Sequence, residues 1–125
     1  MREHILLSII SITFLWSCQK VNQIDLVGKW KAIEVLEQGS PLAVDVQKIN
    51  MYFFPNHYEY TSTLKYQEAG HYRIQSNLLF TKDTTKSDAL EKAVEIAKID
   101  KDSLFLRMNE NGKERILKMV REGNK

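Results

Sequence analysis

The sequence predicts an all-β fold, an antiparallel eight-stranded meander closed into a barrel, and three observations carry that prediction. Short runs rich in Tyr, Phe, Val and Ile recur from Asp25 onward, and turn residues break them every 8–12 positions. Apolar and polar residues alternate within the runs. Tyr58, Tyr60, Leu64 and Tyr66 read onto one face, with His57, Glu59, Thr61 and Lys65 on the other. The breaks carry hairpin chemistry at Pro55-Asn56, Ser76-Asn77, Asp100 to Asp102 and Asn109-Glu110-Asn111-Gly112, the last supplying the positive φ values of a tight turn. Successive hairpins make a meander, and closure into a barrel removes its unpaired edges.

Taken in order, the strands are expected at 26–37, 46–54, 57–66, 70–75, 78–82, 93–99, 103–108 and 114–121. In the first, the alternation slips after Ala32, where Glu34 and Glu37 interrupt it, which predicts a bulge. Leu104, Leu106 and Met108 oppose Phe105 and Arg107, while Leu117, Met119 and Arg121 share one face of the last strand. Helix competes only in Thr84 to Lys98. Its Ala, Leu, Glu and Lys favour one, Ser87 offers a cap, and Leu90, Val94 and Ala97 form a stripe. The expectation there is a loop or short helix near 85–92, followed by a strand. The domain is expected to span 26–122.

Composition narrows the function classes. The 125 residues make one domain, and 43% apolar with 27% charged residues is a globular mixture. Eighteen Lys and Arg against sixteen Asp and Glu leave +2, too little for an electrostatic nucleic-acid surface. The single cysteine excludes an intrachain disulfide and a cysteine-rich metal site.

That cysteine closes an N-terminal segment of a different character, MREHILLSIISITFLWSC. Arg2 and the amino terminus start it with positive charge, and Ile5 to Trp16 is mostly apolar. The apolar stretch is too short to span a bilayer as a helix and shows no polar face, so residues 1–17 read as a signal peptide. Leu15-Trp16-Ser17-Cys18 resembles the lipobox of bacterial lipoproteins, although Trp16 departs from the usual residue at its position. The resemblance implies cleavage before Cys18, a diacylglyceryl group on its thiol, and acylation of the new amine by a fatty acid such as palmitate. Several buried acyl chains at about 0.8 kcal/mol per methylene make a lasting membrane anchor. Residues 18–25 would be a lipidated polar tether. Gln19 in place of Asp points, by resemblance to the proteobacterial sorting rule, to the outer membrane facing the periplasm.

Leu26-Val27-Gly28-Lys29-Trp30 opens the first strand, followed by Phe54-Pro55-Asn56-His57-Tyr58-Glu59-Tyr60, Gly70-His71-Tyr72-Arg73-Ile74 and Asp102-Ser103-Leu104-Phe105-Leu106. In that order the chain resembles the lipocalin-like lipoproteins of Bacteroidetes. The resemblance implies that Trp30 plugs the closed end of a barrel and that Arg121 packs over it, with Gly28 opening the motif. These three are structural residues. It also implies a small hydrophobic or amphipathic ligand held inside. In a chain this short, with short strands and spare loops, a shallow cup is expected.

Eight strands leave an interior that side chains can fill or that can hold one small ligand. If the Tyr face points inward, Tyr58, Tyr60, Leu64, Tyr66 and Tyr72 line a binding site, the rings enclosing the ligand and the hydroxyls orienting it. The alternative is a filled barrel whose surface binds another envelope protein as an adaptor or inhibitor. His57 and His71 read as turn histidines without a third metal ligand. No nucleophile motif, metal-protease motif or phosphate loop is present, so no metal, cofactor or enzymatic activity is expected. Asp83, Asp88, Asp100 and Asp102 read as turn residues, and Lys82, Lys86, Lys92, Lys98 and Lys101 as a solvated face.

Overall fold

The computed structural model describes residues 21–123. They form one antiparallel sheet of nine strands: β1 (Gly28–Glu37), β2 (Ser40–Pro41), β3 (Asn50–Phe53), β4 (His57–Thr61), β5 (Gln67–Gln75), β6 (Leu78–Asp83), β7 (Lys92–Ile99), β8 (Ser103–Glu110) and β9 (Lys113–Arg121). Each strand from β3 to β9 pairs with its neighbour in sequence, and β1 pairs with both β3 and β9. Eight strands therefore close an up-and-down barrel with a core of its own, and β2 is a two-residue extension folded back on β1. Closure leaves no long unpaired edge, which answers how a meander of short strands avoids edge-to-edge association.

Alternation decides what faces in. Trp30 and Ala32 of β1, Met51 and Phe53 of β3, Tyr58 of β4, Leu79 of β6, Leu104 and Leu106 of β8, and Leu117 and Met119 of β9 are all buried. The parity of β1 changes where the register slips between Ala32 and Glu34. Ile33 turns outward and Val35 becomes the next inward residue. A second slip between Ile96 and Lys98 does the same in β7, so that Ile96 and Ile99 both meet the core.

Several strand limits differ from expectation. Val46–Lys48 forms a 3₁₀ turn, capped by the Asp45 side chain accepting from the Gln47 N–H, so β3 begins only at Asn50. The expected third strand stops at Thr61, because Leu64 and Lys65 take positive φ in a second 3₁₀ turn. β5 starts three residues early, at Gln67. The 84–91 segment is a loop and β7 follows it. Pairing with β6 and β8 on both sides outweighs the helical propensity of its Ala, Leu, Glu and Lys.

Residues 21–25 are folded onto the barrel and do not form a free tether. The Val21 N–H bonds to the Ser76 carbonyl, Gln23–Leu26 makes one helical turn, α1, and Leu26 is fully buried. Cys18 and the expected signal peptide lie outside the described residues.

Candidate functional site

The two ends of the barrel are built differently. At one end the strands β3–β4, β5–β6 and β7–β8 are joined by short turns, and α1 lies across them. Trp30 is fully buried here, and its indole N–H donates to the Leu26 carbonyl at 2.8 Å. The Arg121 guanidinium lies 4.2 Å from the Trp30 ring centroid, a cation–π distance. Its three nitrogens donate to backbone carbonyls: Nε to Lys101, Nη1 to Val27 and Nη2 to Asp25, at 2.9, 2.7 and 3.0 Å. Gly28 has φ 135°, and a Cβ there would run into Arg121 Nη1, so the glycine makes room for the clamp. Phe53, Leu104 and Met119, all fully buried, complete this end.

The opposite end is a mouth, bordered by the connections 38–49, 62–66 and 84–91 and the 111–112 turn. Beneath it lies a cavity of about 630 Å³. Met51, Leu79, Leu106 and Leu117 make its apolar floor, and Val94 and Met108 extend the apolar lining. Tyr60, Tyr66 and Glu68 line one side, and Lys92, Asn109 and Glu110 lie at the rim.

Glu68 organises the polar side. Its side chain is only 10% exposed. One carboxylate oxygen accepts from the Tyr58 hydroxyl at 2.5 Å and the other from the Tyr66 hydroxyl at 2.8 Å. Burial first, and then the bond to Glu68, pushes the Tyr58 phenol far above its ordinary range. Tyr66 is pushed up to about 12, chiefly by the same carboxylate. Both phenols are therefore neutral donors at physiological pH. Lys92 Nζ is 3.9 Å from Glu68 and two-thirds exposed, an ion pair at the rim. Below the mouth, Asp83 is buried and is held below the usual carboxylate range, mainly by the Thr85 hydroxyl at 2.5 Å. Outside, Arg73 grips Glu91 at 2.9 Å and lies over the Phe80 ring, fastening the 84–91 loop beside the mouth.

Of the five residues expected to line a ligand site, only Tyr60 and Tyr66 border the cavity. Tyr58 is fully buried and reaches it only through the Glu68 carboxylate. Tyr72 packs edge-on against Phe53 and donates its hydroxyl to the Phe54 carbonyl, so it belongs to the core. Leu64 is a correction: it is 96% exposed, because the positive-φ turn takes it off the strand and away from the interior. Tyr66 returns to the rim after that turn, packing against Tyr60 at 6.2 Å.

Glu68, the aliphatic floor and Thr81, which also lines the cavity, are not singled out by the expected strands. A signal for Glu68 exists in the period-2 series Glu68, Gly70, Tyr72 and Ile74, had the fourth strand been started before Gly70. Among the described residues no three His, Cys, Asp or Glu side chains gather to hold a metal ion. His57 and His71 are cross-strand partners on the outer face, where His57 stacks on Phe54.

No protein-family model matches the chain, and no curated protein matches its sequence. Solved structures do match in fold. One is a lipocalin-like protein from Bacteroides uniformis ATCC 8492, with a TM-score of 0.54 at 16% identity, covering 74% of this chain and 96% of that one. Another is an uncharacterized protein from Bacteroides eggerthii DSM 20697, with a TM-score of 0.56 at 15% identity, covering 74% of this chain and 98% of that one. The described chain thus has the lipocalin-like fold, an eight-stranded barrel sealed at one end and hollow at the other.

Proposed function

We propose that the protein is a membrane-anchored lipocalin-like lipoprotein that binds a small hydrophobic or amphipathic molecule in the open half of its barrel. The observation that carries this reading is the cavity of about 630 Å³, with an aliphatic floor and a polar cluster on one wall. That volume falls within the range of small-molecule sites, and its lining joins much apolar surface to few polar groups. The driving force would be burial of apolar ligand surface at about 25 cal/mol per Å². A filled barrel working as a protein-interaction module would give no reason for such a hollow. The anchor would be the lipid on Cys18, and the lipobox resemblance supports a place in the cell envelope, at the outer membrane facing the periplasm.

The test is native mass spectrometry on the chain from Gln19 onward, exported to a bacterial periplasm and purified without detergent. The expected result is a discrete extra mass that leaves on denaturation. A bare mass, unchanged after incubation with an envelope lipid extract, overturns the reading and turns the search toward an envelope protein partner.

A further inference from the structure

The cavity carries a charge asymmetry that its apolar floor does not call for. Glu68 is the buried ionisable group on its wall, nine-tenths shielded from water. The Tyr58 and Tyr66 hydroxyls are both spent on its two oxygens, while the hydroxyls of Tyr60, Ser62 and Thr81 border the cavity elsewhere. What the cluster still offers is acceptor capacity: the remaining lone pairs of the carboxylate and those of the Tyr66 hydroxyl oxygen. Lys92 is at 3.9 Å, beyond hydrogen-bond length, and its ammonium stays largely in water. Of the other charges at this end, Glu110 is paired with Arg115 at 2.6 Å, and Asp83, whose Oδ2 is buried without a hydrogen-bond partner, has Lys86 at 4.0 Å.

Resting on the binding reading above, we infer that the cavity selects among amphiphiles by head group. It takes a protonated primary amine on an apolar body in preference to a carboxylate or a neutral head, with Glu68 as the counter-ion. An ammonium has three donors and no acceptor, which matches the lone pairs left on the Glu68 cluster. A carboxylate placed there would face Glu68 across a few ångströms, with only two largely solvated ammonium groups to offset it, Lys92 at the rim and Lys86 at 5.1 Å from the Tyr66 ring centroid. The aliphatic floor of Met51, Leu79, Leu106 and Leu117 takes the apolar body of either molecule, so the difference between them is made at Glu68.

The experiment compares decylamine, decanoate and decanol as probes, below their aggregation limits, by calorimetry and by the change in thermal melting. The protein is the chain from Gln19 onward. The expected result is binding of all three, with decylamine at least about tenfold tighter than decanoate, and with salt weakening the amine most. Glu68→Gln, which keeps the side chain's shape, is expected to abolish the amine preference while decanol affinity holds within about twofold. Lys92→Gln removes the rim cation and is expected to strengthen the amine, which keeps the test open if Glu68→Gln fails to fold. Decanoate binding as tightly as decylamine overturns the inference, as does an amine preference that survives Glu68→Gln, and both leave the ligand-binding reading intact. No binding by any of the three overturns the binding reading itself.

Discussion

The two ends of this barrel use the same strands and the same alternation, yet one is solid and the other hollow. At the sealed end a single cation, Arg121, satisfies three backbone carbonyls and covers an indole. Each nitrogen of that clamp has a carbonyl partner. At the mouth, Glu68 consumes two phenols and remains an acceptor, and the aliphatic floor has no side chain resting on it. The difference shows that a small barrel need not be deep to keep a site. One compact plug fills half of it, and the other half stays open.

Removing the plug should produce the largest effect. Trp30→Ala leaves a void in the packed half and is expected to cost about 3–5 kcal/mol in urea unfolding. The corresponding truncation of Met108 at the mouth should cost about 1 kcal/mol, since its side chain already borders open space. Equal losses at the two positions would break the contrast between the ends. Next in size is Arg121→Ala, which removes three charged hydrogen bonds and the cation–π contact. An expected loss of about 2–3 kcal/mol should leave any ligand affinity nearly unchanged. Arg121→Lys should recover little of it, because a single ammonium cannot reach three diverging carbonyls. A variant of unchanged stability would show that the clamp is ornamental.

The smallest expected effect is at the mouth and depends on pH. Thr85→Ala removes the hydroxyl that chiefly holds Asp83 below its ordinary range. A carboxylate with a depressed pKa stabilises the fold above its unfolded value, near pH 4, and loses that contribution as pH falls through the folded value. Wild type should therefore melt a few degrees above the variant at neutral pH, with the gap closing as pH falls below the ordinary carboxylate range. A gap that is constant with pH would assign the loss to loop packing and not to the carboxylate.

The sealed end was the more legible in the sequence because its parts lie on regular strands. Gly28 and Trp30 stand two apart at the start of one strand, and Leu117, Met119 and Arg121 two apart at the end of another, so period-2 alternation brings them to one face. The slip after Ala32 was legible for the same reason, since two glutamates interrupt the pattern where Ile33 bulges out. The mouth was less so. Leu64 continues the alternation of Tyr58 and Tyr60 on paper, but no local signal announces that residues 64 and 65 adopt positive φ without being glycine. That turn decides where Tyr66 stands, and so which tyrosines border the cavity. Glu68 was hidden by a strand begun too late, and a charged residue on an inward position goes against the usual pattern until its two phenol partners are seen.

The way the chain enters the barrel has a geographical consequence. Val21 is tied to Ser76 and α1 lies over the sealed end, so the described residues enter the barrel at its plug and not at its mouth. With a lipid on Cys18, the barrel would stand on the bilayer with its plug downward and its mouth turned to the aqueous side. Cargo would then be exchanged with the surrounding fluid or with a passing carrier, and would not be drawn directly from the leaflet beneath.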